Sequence, residues 1–559
     1  MLHGMFNLHS GGHTVIWLIA AAALVGCNKN ADPKDEGLAS AEVYAADLET
    51  IPERANAHGF PRLANNTQVS YEGDADNGRM GEKLAERLHW YDYIVVDGDF
   101  VTNDVLGQHL GPRGPLRTKN PNAVVTAYFS PADYLGEDAE DGGIRWRELM
   151  RTYAFGPSYN PEDQTDSNPE DGFQRDAWLF HTTATPPGEP EKHVPGPHNE
   201  VWLFDFGDYW SKLQDPSEQG MREHYVTTFN EVVVSKHRVD GIYHDWATAT
   251  APSFGTSVPK GHRTSEIDLD LDGVAEPITE INTTWREGLL SLFALGRSTY
   301  PENFLLTGNL GWFSQPAYTD YLSGIMMEDF NSAALVGGWG RTMYAYASYM
   351  QNGRSPHLSI VQAVIDIPND TATNDVLYHD IMAEADNVWF ASNTDPNAHA
   401  LREMRFSLAS ALMFDGYFSA SNSAAAGGYH AAWWLDEFSV NLETGASVFP
   451  AQADGSPALA HKGWMGDPTG AAVQVGDVGT TLWSLLSVGV ENAAAEHAWR
   501  RKFENALVLV NPTQAAINAN LDGSWQRIDG RLAPNINNGE AVSGSVSLPA
   551  EDGLVLVRR

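Results

Sequence analysis

The chain has 559 residues, too many for one ordinary domain, and its 42% hydrophobic and 11% aromatic content excludes a disordered chain. Seventy-three Asp and Glu oppose 35 Lys and Arg, a formal net charge of -38 that repels nucleic-acid phosphates and anionic lipid headgroups and so sets aside a nucleic-acid partner. The one cysteine, Cys27, excludes an intrachain disulfide and a thiolate zinc cluster.

In chain order, the first feature is the apolar run Thr14 to Gly26 (TVIWLIAAAALVG), which ends directly at Cys27. At ~13 residues it is too short to span a bilayer and has the length of a signal-peptide core. Leu24-Val25-Gly26-Cys27 resembles the lipobox of bacterial lipoproteins, although the residues before it contain no Lys or Arg. Residues 1–26 are therefore read as a lipoprotein signal peptide and Cys27 as the lipid-modified start of the mature chain, with a plain secretory signal as the alternative. Asn28 in place of Asp suits outer-membrane sorting in a Gram-negative cell. That gives a lipid-anchored envelope protein, in the outer membrane or at the cell surface. Residues 27–58 are polar, without an apolar period, and are expected to form a flexible tether.

From Tyr91 short apolar runs alternate with helix-like stretches. The runs are YDYIVVDG (91–98), AVVTAYFS (123–130), VWLFDFGD (201–208), DGIYHDWA (240–247), NFLLTGNL (303–310), GIMMEDF (324–330), HLSIVQAVI (357–365) and DGYFSAS (415–421). Near-continuous Val, Ile, Leu and Phe marks strands buried on both faces. Candidate helices lie between them at 216–237, 282–299 and 398–414. Strand-helix alternation implies parallel strands with right-handed crossovers. Eight such units close into a (β/α)8 TIM barrel, expected over 59–422, with a doubly wound open sheet as the alternative. Two long connections, 135–199 and 248–281, follow strand C-termini, the face on which barrels build active sites. After residue 422 short alternating segments separated by Asn, Pro and Gly predict a linker and a small C-terminal antiparallel β-sandwich over 423–559, a buttress behind the barrel.

Barrel strands carry chemistry where they end. The fourth run ends in His244-Asp245-Trp246 and the sixth in Glu328-Asp329-Phe330. Cleaving a glycosidic bond needs two facing carboxyl groups, one to protonate the leaving oxygen and one to attack the anomeric carbon or activate water. Asp245 and Glu328 lie two strands apart and are assigned as nucleophile or base and as general acid, with Asp329 the rival for the second role. Trp246, Met326 and Phe330 nearby would raise one pKa to suit an acid. Asp97, Asp205 and Asp208 fit caps or supporting groups. Asp97, Asn309 and Asp329 are the polar candidates for substrate binding, Asn309 with a turn role as its alternative. His244 points away from Asp245 on a regular strand and is read as structural. The chain has 17 tryptophans, of which Trp246, Trp312 and Trp339 follow strand ends and are placed to stack on sugar rings, the rest being expected in the core.

Asp268, Asp270 and Asp272, then Gly273 and Glu276, match the first half of a calcium loop: oxygen ligands at alternate positions, then a glycine for the turn. Thr279 stands where the closing glutamate of an EF-hand would be. A structural calcium held by Asp268, Asp270, Asp272 and Glu276 is the expectation, and no organic cofactor is expected. No HExxH, phosphate-loop or GxSxG motif and no dinucleotide glycine pattern is present.

Phe60-Pro61-Arg62-Leu63, YDYIVVDG, VWLFDFGDYW, VDGIYHDW, LLTGN, IMMEDF, ASALMFDGYFS, WWLDEFSVNLETG and FENALVLVNPT, in this order over roughly 58–559, resemble hypothetical glycosyl hydrolase family 15. More distantly, DGIYHDW is similar to the fourth-strand motif of α-galactosaminidase- and dextranase-like barrels. The resemblance implies a barrel with Asp245 and Glu328 at the catalytic positions and a carbohydrate substrate. The expectation is thus a glycoside hydrolase acting on an oligo- or polysaccharide at the cell surface. Its rival is a glycan-binding surface lipoprotein whose barrel has lost catalysis.

Overall fold

The computed structural model describes residues 41–69, 87–102, 107–130, 133–135, 181–182, 201–203, 221–251, 267–270, 272–311, 314–365, 396–422, 434–450 and 454–559. Eight parallel strands form one sheet in strict chain order: β1 (Ala64–Val69), β2 (Tyr93–Asp97), β3 (Val124–Phe129), β4 (Gly241–His244), β5 (Leu305–Asn309), β6 (Gly324–Met327), β7 (Ile360–Ile365) and β8 (Tyr417–Asn422). The sheet closes where Leu63 bridges Phe418 in parallel and the Phe418 amide donates to the Arg62 carbonyl at 2.9 Å. Helices α3 (Met221–Val232), α4 (Ile278–Thr299), α5 (Phe330–Gly337), α6 (Trp339–Asn352) and α7 (Pro396–Ala411) fill the crossovers. This is the expected (β/α)8 barrel. Strands β4, β5 and β6 are buried along their whole lengths, as their unbroken apolar runs require. Gly241 lets β4 approach β5, because a Cβ there would lie 2.4 Å from that of Leu305.

Two strand assignments change. VWLFDFGD (201–208) is not a barrel strand: Val201–Leu203 pairs antiparallel with Asp133–Leu135 in a separate two-stranded sheet inside the long connection. The missing barrel strand is ANNTQV, β1. Only Ala64 and Val69 of its six residues are apolar, and Asn66 faces the barrel axis, so it shows no apolar run. The long connection therefore follows the third barrel strand, not the second, and β4, β5 and β6 keep their places in the ring.

The tether expected over 27–58 fails from Ala41 onward, the residues before it lying outside the described ones. Helices α1 (Ala41–Glu49) and α2 (Ile51–Ala55) bury Tyr44, Leu48 and Ile51 against the barrel. The Tyr44 hydroxyl donates to the Val239 carbonyl at 2.6 Å. Arg54 is clamped at the foot of β4, its Nη2 2.6 Å from Asp240 Oδ1 and its Nη1 2.6 Å from the Ala123 carbonyl. A segment with one apolar stripe and one buried cation belongs to the packed body.

Behind the barrel lies a seven-stranded antiparallel sheet. Its strands are β9 (Val473–Gln474), β10 (Asp477–Thr481), β11 (Trp499–Lys502), β12 (Ala506–Asn511), β13 (Ile517–Arg527), β14 (Ala541–Leu548) and β15 (Asp552–Arg558), in the order β10-β9-β11-β12-β15-β13-β14. On β12 alternate residues Val508 and Val510 join the main core, while Leu507 and Leu509 join a second, smaller core with Trp525, Val546 and Leu548 of β13 and β14. The two layers of this β-domain thus come from one sheet whose β13–β14 hairpin covers the far face. Arg405 of α7 pairs with Asp552 at 3.0 Å, both buried, and fixes the domain to the barrel. Asp436 accepts from the backbone amides of Arg531, Leu532 and Ala533 and adds a second tie.

Candidate functional site

Asp245 follows the last residue of β4, yet its backbone amide still donates to the Phe129 carbonyl at 2.8 Å, so β3 holds it in place. The turn beyond is pinned from α4, where Trp285 Nε1 donates to the Thr248 carbonyl at 2.9 Å and Asn282 Oδ1 accepts from the Ala251 amide at 3.0 Å. Glu328 directly follows β6. The residues after the two acids, Trp246 and Asp329, have left-handed backbones (φ 51° and 50°), two of the four non-glycine cases among the described residues. Such backbone conformations cost energy and cluster where side chains must be aimed.

One side chain joins the two acids. Asn309, at the end of the intervening β5, donates from Nδ2 to Asp245 Oδ1 at 2.9 Å and to Glu328 Oε2 at 2.7 Å. Its own Oδ1 accepts from the Gly311 amide at 2.9 Å, which fixes the orientation of the carboxamide. Two hydrogen bonds from one amide nitrogen diverge by roughly 120°, so these oxygens lie about 5 Å apart. The second Asp245 oxygen accepts from the Tyr128 hydroxyl of β3 at 2.6 Å. Tyr128 stacks on Tyr243, ring centroids 5.9 Å apart, and the Tyr243 phenol is pushed well above its ordinary pKa by burial and by the charges of Asp245 and Glu328. Beneath the acids, the Tyr243 hydroxyl and the Asn66 amide both meet the sulfur of Met326, at 3.3 and 2.9 Å. The pair of carboxyl groups therefore stands on a packed floor, with the neutral Asn309 amide bridging the two.

The other predicted residues fare unevenly. His244 is buried between Tyr225 and Phe293, and burial lowers its pKa to about 4, in keeping with its structural reading. Trp246 is half-buried next to Asp245. Trp339 is a correction: it is buried and donates to Ser410 Oγ at 2.9 Å, so it is a core residue and no stacking platform. Asp329 is the N-cap of α5 without a side-chain cap hydrogen bond, and burial raises its carboxyl. Trp312, Asp205, Asp208 and the Asp97 side chain lie outside the described residues. Tyr128 was not anticipated, although Val124, Thr126 and Tyr128 alternate onto one face of β3 and place a polar aromatic at its inner end.

In the acidic loop, carboxylate oxygens of Asp268, Asp270 and Glu276 come within 4.8 Å of one another. Asp272 does not join them: its Oδ1 accepts from the Val274 amide at 2.8 Å. Asp268 already accepts from the backbone amides of Asp272 and Gly273, at 3.2 and 2.8 Å. Burial, then the charges of Asp268 and Asp270, raise the Glu276 carboxyl.

The sequence model of hypothetical glycosyl hydrolase family 15 matches residues 148–507. No curated protein sequence matches the chain. Among solved structures, the type III pullulan hydrolase from Thermococcus kodakarensis is 12% identical, with a TM-score of 0.35 over 85% of this chain and 70% of that one. The cyclic alpha-maltosyl-(1→6)-maltose hydrolase from Arthrobacter globiformis is 12% identical, with a TM-score of 0.38 over 90% of this chain and 100% of that one. A GH36 alpha-galactosidase from Geobacillus stearothermophilus is 10% identical, with a TM-score of 0.37 over 92% of this chain and 58% of that one.

Proposed function

Because the chain belongs to hypothetical glycosyl hydrolase family 15 and is a glycoside hydrolase, we propose that it cleaves O-glycosidic bonds of an oligo- or polysaccharide with retention of configuration, through Asp245 and Glu328. The observation that carries this is the single Asn309 amide bonded to both carboxyl groups. A spacing of about 5 Å suits a nucleophile and an acid/base, whereas inversion needs room for a water, roughly 6.5–9.5 Å.

Asp245 is the nucleophile. Both of its oxygens accept hydrogen bonds, a part the ionised carboxylate fills. It attacks the anomeric carbon as Glu328 gives its proton to the departing oxygen, leaving a glycosyl ester on Asp245 and an alcohol. Water then attacks the same carbon, Glu328 takes back a proton, and Asp245 is released. Tyr128 and Asn309 keep the carboxylate aimed without adding a positive charge that would blunt it.

The test is the anomeric configuration of the first product, read by proton NMR during hydrolysis of an aryl glycoside chosen from a panel. Retention is expected, and inversion would reject the mechanism. If nothing in a broad glycan panel is cut yet some members bind, the non-catalytic surface lipoprotein is the correct reading.

Two further parts of the proposal concern placement and stability. Cys27, after the apolar run 14–26, would carry the lipid that anchors the chain in the bacterial envelope. Radiolabelled palmitate incorporated by the native chain and lost in Cys27→Ala tests this. Asp268, Asp270 and Glu276 supply the hard oxygen donors a structural calcium takes. A rise in melting temperature with calcium, absent in Asp268→Asn, tests that.

A further inference from the structure

The barrel interior holds polar groups that the proposed mechanism does not use. Gln362 of β7 is fully buried, and neither Nε2 nor Oε1 has a hydrogen-bond partner among the described residues. The same is true of Ser421 Oγ on β8 and of Asn66 Oδ1 on β1. Buried polar atoms are nearly always paired, and leaving them unpaired costs stability.

Strand register places these groups. Met326 pairs with Ile360 and Met327 with Val361, so Gln362 follows at the level of Glu328 on the neighbouring strand. Met326 faces the barrel axis, where it meets Asn66 and Tyr243. Ile360 shares that face, and so, two residues on, does Gln362. Gln362 pairs in turn with Ser419, which puts Ser421 on the same inner face of β8. Strands β7, β8 and β1 thus form a polar wall across the barrel from Asp245 and Asn309. Barrel interiors are otherwise filled mainly by branched apolar side chains.

We infer that this wall reads the hydroxyl groups of the sugar held between the acids, and that Gln362 determines which sugar is accepted. Its carboxamide offers one donor nitrogen and one acceptor oxygen side by side, the complement of two neighbouring hydroxyls on a pyranose ring. Placed beside Glu328, it meets the ring whose bond is broken. The inference rests on the glycosidase mechanism proposed above.

The experiment compares wild type with Gln362→Met, an apolar replacement of similar volume, and Gln362→Asn, which keeps the amide but withdraws it. Each is assayed on the aryl glycoside that wild type cuts fastest and on its monodeoxy analogues, with the melting temperature measured alongside. The expected result is a fall in kcat/KM of about tenfold or more for both variants, with a melting temperature in Gln362→Met equal to or above that of wild type. Removal of the recognised hydroxyl should slow wild type but leave Gln362→Met little changed. If Gln362→Met gains stability and keeps kcat/KM within about twofold, the group only holds trapped water and the inference is wrong. Asp245→Asn on the same substrate separates the two claims, since undiminished activity there rejects the mechanism and says nothing against Gln362. If wild type cuts no panel member, calorimetry with the free monosaccharides decides. Weaker binding in Gln362→Met upholds the inference, and unchanged or absent binding overturns it.

Discussion

Asp240 and Asp245 stand at the two ends of one barrel strand, and their surroundings are opposites. At the foot, Asp240 is wholly buried and neutralised by Arg54 and Arg117, with the Val125 amide as a further donor at 2.7 Å. At the mouth, Asp245 receives, among the described residues, only the neutral Tyr128 hydroxyl and the Asn309 amide, and that amide also bonds a second acid, Glu328. One strand thus carries a carboxylate whose charge is cancelled and one whose charge is kept. The foot of the barrel joins the N-terminal helices to the core, while the mouth gives up some stability to hold two acids together.

Substitutions at the two ends should separate cleanly. Asp245→Asn should lower kcat by on the order of 10⁴-fold with a melting temperature near that of wild type. An Asp245→Asn protein that unfolds instead would make the mouth as structural as the foot. Asp240→Asn should cost about 3 kcal/mol in chemical denaturation, because it takes the nearer carboxylate from two buried arginines and leaves them Asp47 at 3.4 and 4.0 Å, yet leave kcat per folded molecule unchanged. Asn309→Ala should lower kcat by roughly 10–100-fold, since the amide no longer sets the spacing of the acids. An effect confined to KM would show that Asn309 only binds sugar.

The smallest effect concerns Glu437, where burial and the neighbouring Asp436 raise the carboxyl from 4.5 to about 7. A carboxyl raised in the folded state binds its proton more tightly there than in the unfolded chain. Its contribution is therefore complete below the unfolded value and lost as pH rises through about 7. The melting temperature of wild type should fall between about pH 4.5 and 7, and Glu437→Gln should flatten that slope. An unchanged slope would assign the pH dependence to another group.

Much of this was legible in the sequence, for local reasons. Gly241-Ile242-Tyr243 and Gly324-Ile325-Met326-Met327 are short apolar stretches closely followed by acids, Asp245 and Glu328, and those two features alone locate the mouths of β4 and β6. Other parts are set by distant partners. Asn309 reaches Asp245 across 64 residues, and Arg54 reaches Asp240 across 186, so neither spacing reveals the contact. ANNTQV shows no strand signal because it lacks an apolar run, with Asn66 in place of an aliphatic residue reaching across the barrel to Met326. VWLFDFGD misled for the converse reason, being apolar enough for a barrel strand while pairing inside an insertion.

The most direct test of the two-acid mouth is to trap the intermediate. The enzyme is incubated with a 2-deoxy-2-fluoroglycosyl fluoride of the sugar it accepts, then digested and its peptides read by mass spectrometry. One fluoroglycosyl ester, on Asp245, is expected to accumulate as activity is lost. Labelling of Glu328 or Asp329 in its place, or loss of activity with no labelled carboxylate, would contradict it.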